Sequence, residues 1–293
     1  MRVLVFGANG IIGRSLVSEI SDSFEVIAID KRFSDLSDEV WKNCKTEVMD
    51  ILLLSELKKI IRKNDIVINL AASSRISDCN DHIIESFNVN VFGAVNLMEA
   101  CLENKAKQLI QASSLYATGS FGGFYSASKK AMESYLECFS ANTSLNVVLL
   151  RLGSISGGLD DENSLPTKIL RSILFKSKTK IDVNSRIVRD YLPVDGTTKY
   201  IKSIIGNNKF NGHEIEFVLN KPVTLSILIK DIKSITGEDP KKYLNISRIK
   251  ESFRGQYLET PSKKFNFKKL KINIKGKSNT FKSFLKNLYY EER

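Results

Sequence analysis

A short apolar strand that runs directly into three closely spaced glycines constrains the fold more than any other sequence feature. Residues 2–6 read Arg-Val-Leu-Val-Phe, which is typical of a buried parallel strand. Gly7, Gly10 and Gly13 follow, and a helical pattern covers residues 11–20. Glycine allows a tight turn, close approach of the backbone to a pyrophosphate, and close packing of helix on strand. The pattern therefore predicts a dinucleotide-binding loop, with the amides of a helix amino terminus facing the phosphates.

The second predicted strand, residues 26–30, ends in an acidic residue 17 positions after Gly13. A carboxylate at this place accepts hydrogen bonds from the hydroxyl groups of an adenine ribose and repels a 2′-phosphate. Asp30 therefore favours NAD over NADP as the cofactor. The cationic residues Lys31 and Arg32 come directly after it and keep NADP as the alternative.

Strands and helices alternate from the glycine loop to about residue 155, as expected for a parallel sheet with helices on both faces. Further strands are predicted at residues 47–50, 65–70, 108–111 and 146–151, and further helices at residues 57–62, 83–103 and 125–139. The predicted fold class is α/β, a Rossmann-type doubly wound parallel sheet with a smaller C-terminal α/β substrate lobe.

The regular alternation of strands and helices ends at about residue 155. Beyond it the predicted segments are shorter and are interrupted by Pro166, Pro193, Pro222 and Pro240. We expect residues 1–155 to form an NAD(P)-binding Rossmann domain. Residues 156–293 are expected to form the substrate-binding lobe, with segments such as residues 186–200 returning to the core.

Composition excludes several other classes of protein. With 42% hydrophobic and 26% charged residues the chain is globular rather than disordered. No apolar run approaches the roughly 20 residues of a membrane span, and because residues 2–6 read as a strand we expect no secretory signal there. The four cysteines lack metal-ligand or redox-pair spacing, and the two histidines are too few for a multi-histidine metal site. We expect a cytoplasmic protein with no integral membrane segment and no metal.

The most informative stretch for chemistry is residues 125–129, Tyr-Ser-Ala-Ser-Lys. Tyr125 and Lys129 are four apart on a predicted helix and so project from the same face. A phenol has a pKa near 10, and a neighbouring ammonium group stabilises the phenolate and lowers that pKa. The pair is suited to exchange a proton with a sugar hydroxyl or carbonyl while a hydride moves to or from a cofactor.

These motifs, in this order, resemble the extended short-chain dehydrogenase/reductase family, whose NAD-dependent epimerases and dehydratases modify nucleotide sugars. The segment at residues 113–119, Ser-Ser-Leu-Tyr-Ala-Thr-Gly, is similar to the family segment before the catalytic tyrosine. The resemblance implies that Ser114 binds the reacting oxygen, with Ser113 as the alternative. It also implies that Lys129 bonds the nicotinamide ribose and that Asn90 holds Lys129 through a water.

By the same resemblance, the cofactor-binding residues lie in the glycine loop and at the ends of the first four strands, with two more from the catalytic helix. They are Gly7, Asn9, Gly10, Ile11, Ile12, Gly13, Asp30, Lys31, Arg32, Asp50, Ile51, Leu70, Ala71, Ala72, Tyr125 and Lys129. The catalytic set is Ser114, Tyr125, Lys129 and Asn90.

The resemblance continues into the second lobe. Residues 189–195, Arg-Asp-Tyr-Leu-Pro-Val-Asp, are similar to a segment that borders the sugar-nucleotide site in the family. Ser154 stands where sugar-nucleotide members carry Asn. We expect Ser114, Ser154 and Arg189 to bind substrate; for Arg189 a structural ion pair is an equal alternative.

Two departures from the family bear on the reaction. Leu115 and Tyr116 stand where 4,6-dehydratases carry an acid pair, and only 11 positions separate Ser114 from Tyr125. The favoured prediction is reduction of a 4-keto (6-deoxy)hexose on a nucleotide diphosphate, with Tyr125 as proton donor. The alternative is an NAD-dependent nucleotide-sugar 4-epimerase. A 4,6-dehydratase and a non-catalytic dinucleotide-sensing protein complete the set of hypotheses.

The net charge of +11 is concentrated at the carboxyl end. Residues 241–293 carry 15 basic and 4 acidic residues, whereas the first 240 carry 29 of each. Since the predicted catalytic residues lie in the neutral part, we expect an anionic nucleotide sugar rather than nucleic acid as the partner. The helices at residues 83–103 and 125–139 resemble the family's four-helix dimer interface and predict a homodimer.

Overall fold

The protein was analysed as a computed structural model, which describes residues 1–119, 122–157, 161, 164–183, 188–219, 221–248, 268–273 and 281–291. Most of the basic segment 241–293 therefore lies outside the described residues. The chain divides into two compact units. The first contains Met1–Leu152, Thr198–Glu216 and Glu259–Lys271, and the second contains Gly153–Thr197, Phe217–Leu258 and Ile272–Arg293.

Strands and helices alternate in the first half of the chain, in the order β1 Arg2–Phe6, α1 Ile11–Ile20, β2 Glu25–Asp30, β3 Lys45–Val48, α2 Leu54–Ile60, β4 Ile66–Asn69, α3 Ile76–Asp81, α4 Ile83–Phe87, α5 Ala94–Glu103, β5 Gln108–Ser114, α6 Gly123–Asn142 and β6 Val147–Leu152. The later elements are β7 Ser154–Ser156, α7 Leu165–Leu174, β8 Thr179–Val183, β9 Val188–Arg189, β10 Tyr191–Pro193, α8 Val194–Ile204, β11 His213–Val218, β12 Val223–Thr224, α9 Leu225–Thr236, β13 Leu244–Arg248, β14 Lys268–Asn273 and α10 Phe281–Glu291.

The main sheet has the strand order β14-β11-β6-β5-β4-β1-β2-β3. Strands β1 to β6 pair in parallel throughout. The chain moves outward from β1 to β3 and then returns to place β4 on the other side of β1. This reversal is the topological switch point at which doubly wound sheets bind ligands. The arrangement confirms the predicted Rossmann-type fold class.

The central strands are buried along almost their whole length, which explains why their sequences are continuous apolar runs rather than alternating patterns. Helices α5 and α6 supply Met98 and Met132 to the same fully buried core as Leu149 of β6. Burial of each such side chain stabilises the fold by about 1.5–3 kcal/mol. This core holds the carboxyl ends of β4 and β5 in fixed register.

Several predicted elements differ in their bounds from those observed, and three of the differences have a physical explanation. The third strand lies at Lys45–Val48 rather than residues 47–50; it is an edge strand with little burial, so its sequence carries no apolar signal. Helix α2 starts three residues before its prediction and ends two residues earlier. The helix predicted at residues 83–103 is divided, because Asn88–Gly93 adopt π-helical geometry between α4 and α5.

The second unit is built from short strand pairs and helices. Strand β7 pairs in parallel with β10, β8 pairs in parallel with β13, and β9 pairs antiparallel with β12. Tyr191 of β10 stacks on Phe281 of α10, with ring centroids 5.1 Å apart. The assignment of cofactor and substrate binding to separate domains stays a prediction. Among the described residues, we find no helix with the length and hydropathy needed to cross a membrane.

Candidate active site

The glycine loop is packed so closely that two of its glycines admit no side chain. Gly7 has a positive φ of 78°, and a Cβ there would lie 2.5 Å from the backbone nitrogen of Ala71. A Cβ on Gly13 would lie 2.3 Å from the carbonyl oxygen of Gly7. Gly10 is different, because its nearest contact would be an ordinary 3.4 Å. The loop therefore lies directly against the end of β4, and α1 lies directly on the loop.

The amino terminus of α1 has the features of an anion site. The helix begins at Ile11, and its N-cap residue Gly10 has no side chain with which to cap the first turn. In an α-helix the first amides lack an intrahelical acceptor and carry the positive end of the helix dipole. A cradle that a Cβ would fill, closed by such amides, fits the pyrophosphate of a dinucleotide.

Asp30 is fixed at the end of β2 beside this loop. One of its carboxylate oxygens accepts a hydrogen bond of 3.0 Å from the amide of Asn9, and the other accepts one of 3.4 Å from the amide of Arg32. The side chains of Lys31 and Arg32 are exposed. The carboxylate thus lies where an adenine ribose is expected to reach.

The loop after β3 is anchored to α5. Ile51 is buried against Gly93, where a Cβ would come within 2.5 Å of its side chain. Asn96 donates to the carbonyl oxygens of Ile51 and Leu52 over 3.2 and 3.1 Å. Asp50 closes its own turn by accepting a hydrogen bond from the amide of Leu52. The predicted cofactor-binding residues Asp50 and Ile51 are therefore held in place by hydrogen bonds of their own loop and of α5.

The segment after β4 packs against the same glycine loop. Leu70 donates its amide to the carbonyl oxygen of Phe6, and Ala71 donates to the side chain of Asn69. Ala71 and Ala72 are partly buried. Small side chains here allow the close approach of Gly7 described above.

The structure brings Ser114, Tyr125 and Lys129 together in the first unit. Ser114 ends β5 and is buried, and its side chain is near enough to the phenol of Tyr125 to lower the pKa of that group. Lys129 lies one turn farther along α6, with its Nζ 5.9 Å from the centre of the Tyr125 ring. That Nζ also donates to the carbonyl oxygen of Ala112 over 3.4 Å. A hydroxyl, a phenol and an amine therefore surround one point at the end of the central strands.

Burial dominates the protonation of these groups. It raises the pKa of Tyr125 to about 12, while the hydrogen bond with Ser114 acts in the opposite direction. It lowers the pKa of Lys129 to about 8, while the negative charge of Glu133 acts in the opposite direction. The sequence predicted a lowered pKa for Tyr125; the difference arises because the loss of solvent around the phenol outweighs the nearby polar groups. At neutral pH the phenol is protonated and the amine is charged.

Asn90 lies in the π-helical segment and is buried. Its amide nitrogen donates to the carbonyl oxygen of Ser73 and to the hydroxyl of Ser128, each over 3.0 Å. Its oxygen accepts from the amide of Ser73 over 2.8 Å. Asn90 thus ties the segment after β4 to α6, at the residue directly before Lys129.

The two adjacent serines of β5 have different partners. Ser113 donates its hydroxyl to Glu133 of α6. The Oγ of Ser114 instead accepts the amide of Tyr116 over 3.2 Å, and Ser114 is the serine that lowers the pKa of Tyr125. The geometry therefore favours Ser114 over Ser113 as the hydroxyl at the reacting oxygen.

The start of the catalytic helix is fixed by Asn80, a residue that the sequence did not predict for the site. Asn80 of α3 accepts the amide of Phe124 over 3.2 Å. Gly122 and Gly123, which open α6, both have positive φ, and a Cβ on Gly123 would lie 2.6 Å from Asn80. The only sequence signal was the glycine pair itself, since a cap supplied from another helix leaves no local pattern.

The predicted substrate residues Ser154 and Arg189 lie in the second unit. Ser154, in β7, donates its amide to the carbonyl oxygen of Asp190 over 3.2 Å. Arg189, in β9, pairs through its backbone with Val223 of β12. The carboxylate of Asp190 accepts the amide of Leu219 over 2.8 Å. Asp190 therefore has a structural role, whereas substrate binding by Ser154 and Arg189 stays a prediction.

Comparison with known proteins identifies the relatives of this chain. The model of the NAD dependent epimerase/dehydratase family matches residues 3–217. A dTDP-D-glucose 4,6-dehydratase of Dictyostelium discoideum is 24% identical, over 77% of this chain and 62% of its own length. A UDP-glucose 4-epimerase of Caenorhabditis elegans is 25% identical, over 67% of this chain and 68% of its own.

Among solved structures, the UDP-glucose 4-epimerase of Thermus thermophilus in complex with NAD superimposes with a TM-score of 0.77. It is 20% identical, and the match covers 89% of this chain and 91% of that one. A match at this identity demonstrates a shared fold. The family match covers well over half of the chain and confirms the resemblance predicted from the motifs. The chain therefore belongs to the NAD dependent epimerase/dehydratase family.

Proposed function

We propose that this protein is an NAD-dependent 4-epimerase of a nucleotide-diphosphate sugar. The observation that carries the proposal is the joined set of Ser114, Tyr125 and Lys129 at the end of β5 and on α6, in the unit that contains the glycine loop. The same set serves oxidation and reduction at one sugar carbon, which is what epimerisation requires.

The sequence favoured reduction of a 4-keto sugar, and the comparisons move the preference to its alternative. Two of the relatives described above are 4-epimerases. The third is a 4,6-dehydratase, but this chain has Leu115 and Tyr116 at the place of the dehydratase acid pair. Removal of water needs those extra acid and base groups, so epimerisation is the better-supported reaction.

NAD is the cofactor that suits both the family and the site. The cradle formed by Gly7, Gly13 and the first turn of α1 fits a pyrophosphate, and Asp30 lies beside it. When bound, oxidised NAD supplies a hydride acceptor and a positive charge close to the catalytic phenol.

Three residues take part in the proposed proton transfer, and a fourth holds the helix that carries two of them. Ser114 holds the sugar oxygen at C4, and Tyr125, as the phenolate, takes the proton of that hydroxyl and later returns it to the same oxygen. Lys129, together with the positive charge that bound oxidised NAD would supply, stabilises this phenolate before it takes the proton and after it has returned it. Asn90, through Ser128, keeps the helical turn between Tyr125 and Lys129 in place.

Substrate binding extends the proposal to the second unit. By resemblance to the family, Ser154 and Arg189 contact the nucleotide-sugar portion. A guanidinium group is suited to a diphosphate because it forms two parallel charge-assisted hydrogen bonds. The base and the sugar are left to experiment.

A homodimer is the assembly we propose. Helices α4 and α6 and the π-helical segment between α4 and α5 expose large apolar side chains, namely Ile84, Phe87, Phe92, Phe124 and Tyr135. Ile84 is 73% exposed, which is unusual for an isoleucine. Light scattering on a size-exclusion column gives twice the chain mass if the proposal is correct, and Ile84→Glu reduces it to one chain.

The reaction is tested with a panel of UDP-, dTDP-, GDP- and CDP-linked sugars and 4-keto sugars. A 4-epimerase retains NAD through purification and converts one sugar into its C4 epimer, seen by NMR, without net change at 340 nm. Stoichiometric consumption of NADH with a 4-keto sugar would instead establish the reductase. Loss of water from the sugar would establish the dehydratase.

A further inference from the structure

A cluster of buried charges lies behind the catalytic helix. Arg151 of β6 is 1% exposed and forms two hydrogen bonds with Glu133 of α6, over 3.0 and 2.7 Å. It also pairs with Glu214 of β11 and lies 3.8 Å from Glu216. Buried charges of this kind persist only when their partners compensate for the loss of solvent.

Three carboxylates, on Glu133, Glu214 and Glu216, pair with Arg151. A second buried cation, Lys129, lies four residues before Glu133 on α6, and residues at this spacing share one helix face. Of these three carboxylates, Glu133 is therefore the one on the helix that carries the amine of the proposed catalytic set.

Glu133 is held on both sides. Arg151 binds both of its carboxylate oxygens, and Ser113 donates its hydroxyl to one of them. Ser113 is the strand residue directly before Ser114. Glu133 consequently couples the helix that carries Lys129 to the strand that carries Ser114.

We propose that Glu133 is a positioning residue that keeps the buried amine of Lys129 protonated and directed at Tyr125, with Arg151 and Ser113 fixing its carboxylate. This inference rests on the proposed function, because it assumes that Lys129 acts on Tyr125. It assigns the cluster a role in the chemistry beyond packing.

The groups that face Lys129 support this role. Burial lowers the pKa of Lys129, whereas Glu133 on the same helix and Cys79 on α3 act to raise it. Tyr125 faces it from one turn away and Ala112 accepts its hydrogen bond from β5. Arg151 pairs with Glu133, and Glu214 and Glu216 pair with Arg151. Removing the Glu133 charge leaves burial with less opposition, so the amine loses its proton at lower pH.

The test measures the protonation of Lys129 directly. The rate at which acetic anhydride acetylates Lys129 is followed against pH by peptide mass spectrometry, with the exposed neighbour Lys130 as internal reference. In Glu133→Gln the midpoint is expected to fall by about one pH unit or more. In Glu214→Gln and Ser113→Ala, which alter the same cluster and leave the Glu133 charge in place, it is expected to stay at the wild-type value.

Two outcomes overturn the inference: an unchanged midpoint in Glu133→Gln, or an equal fall in Glu214→Gln. Thermal unfolding shows whether each variant is folded. If Glu133→Gln does not fold, Glu133→Asp replaces it; the carboxylate then withdraws by one methylene, a smaller fall is expected, and an unchanged midpoint overturns the inference.

The readout separates this inference from the proposed function. If the wild type epimerises none of the sugars but Glu133→Gln lowers the midpoint, the function fails and the influence of Glu133 on Lys129 stands. If the wild type is an epimerase and the midpoint is unchanged, the function stands and the role of Glu133 fails.

Discussion

The side chain of Ser114 lowers the pKa of the Tyr125 phenol by hydrogen bonding, although one residue ends a buried strand and the other lies in the first turn of a helix. The proposed acid–base group therefore lies next to the hydroxyl that would hold the reacting oxygen.

Tyr125→Phe removes the proton carrier and leaves the ring in place. Turnover is expected to fall by about 10²–10⁴-fold, while NAD affinity stays within a fewfold. Tyr116→Phe is the matched control, because the Tyr116 ring packs edge-on against Tyr125 with centroids 6.2 Å apart. Unchanged turnover in Tyr125→Phe, measured with the sugar identified by the panel, would show that the assignment is wrong.

The pH profile is expected to reflect Lys129. Its pKa is lowered to about 8, so the stabilising positive charge is present below this pH and is lost as the pH rises through it. We expect kcat/KM to decline above about pH 8. Lys129→Arg retains a charge across the whole range and is expected to move the decline to higher pH at a reduced rate. A wild-type profile that is flat across this region would contradict the prediction.

Gly7→Ala and Gly10→Ala form a matched pair. The first places a Cβ within 2.5 Å of the Ala71 backbone at a positive φ, whereas the second meets only an ordinary contact. We expect Gly7→Ala to lose bound NAD and about 1–3 kcal/mol of the free energy of unfolding. Calorimetric titration with NAD and urea unfolding measure the two effects. Equal behaviour of the two variants would mean that the loop does not approach the cofactor as proposed.

Asn80→Ala removes the acceptor for the Phe124 amide at the start of α6. The expected loss is about 1 kcal/mol of the free energy of unfolding, with a fall in kcat because Tyr125 lies one residue farther on. Asn142→Ala, at the other end of the same helix, loses a local bond to the Cys138 carbonyl oxygen and serves as control. A larger fall in kcat for Asn142→Ala than for Asn80→Ala would refute this role.

Local patterns predicted much of the fold and of the proposed site. Three features each occupy only a few consecutive residues, namely the glycine loop, the acid at the end of β2 and the Tyr125–Lys129 pair. Their physical demands, a positive φ or a shared helix face, act over the same short distance. This is why the strand, the glycine loop and the helix were predicted from the residues themselves, whereas the role of Ser114 was predicted from the resemblance to the family.

The rest depends on residues that are distant along the chain. Asn80 caps a helix that starts more than 40 positions later, and the partners Glu133, Arg151 and Glu214 come from three elements. No short stretch of the sequence contains all the residues of either contact. The π-helical turn around Asn90 was not predicted because the spacing of its apolar residues is that of an ordinary α-helix.

The placement of three residues of the site on helix α6 determines how their spacing responds to motion of that helix. Tyr125, Lys129 and Glu133 occupy successive turns of a single 20-residue helix, so a small slide or tilt of that helix carries the phenol, the amine and the carboxylate together. The distances among these three residues therefore change little when the surrounding elements undergo thermal motion. Ser114 belongs to the sheet, and the hydrogen bond from its neighbour Ser113 to Glu133 couples that strand to the helix. The distance between Ser114 and Tyr125 therefore depends on this bond between strand and helix, whereas the other spacings depend on the helix alone.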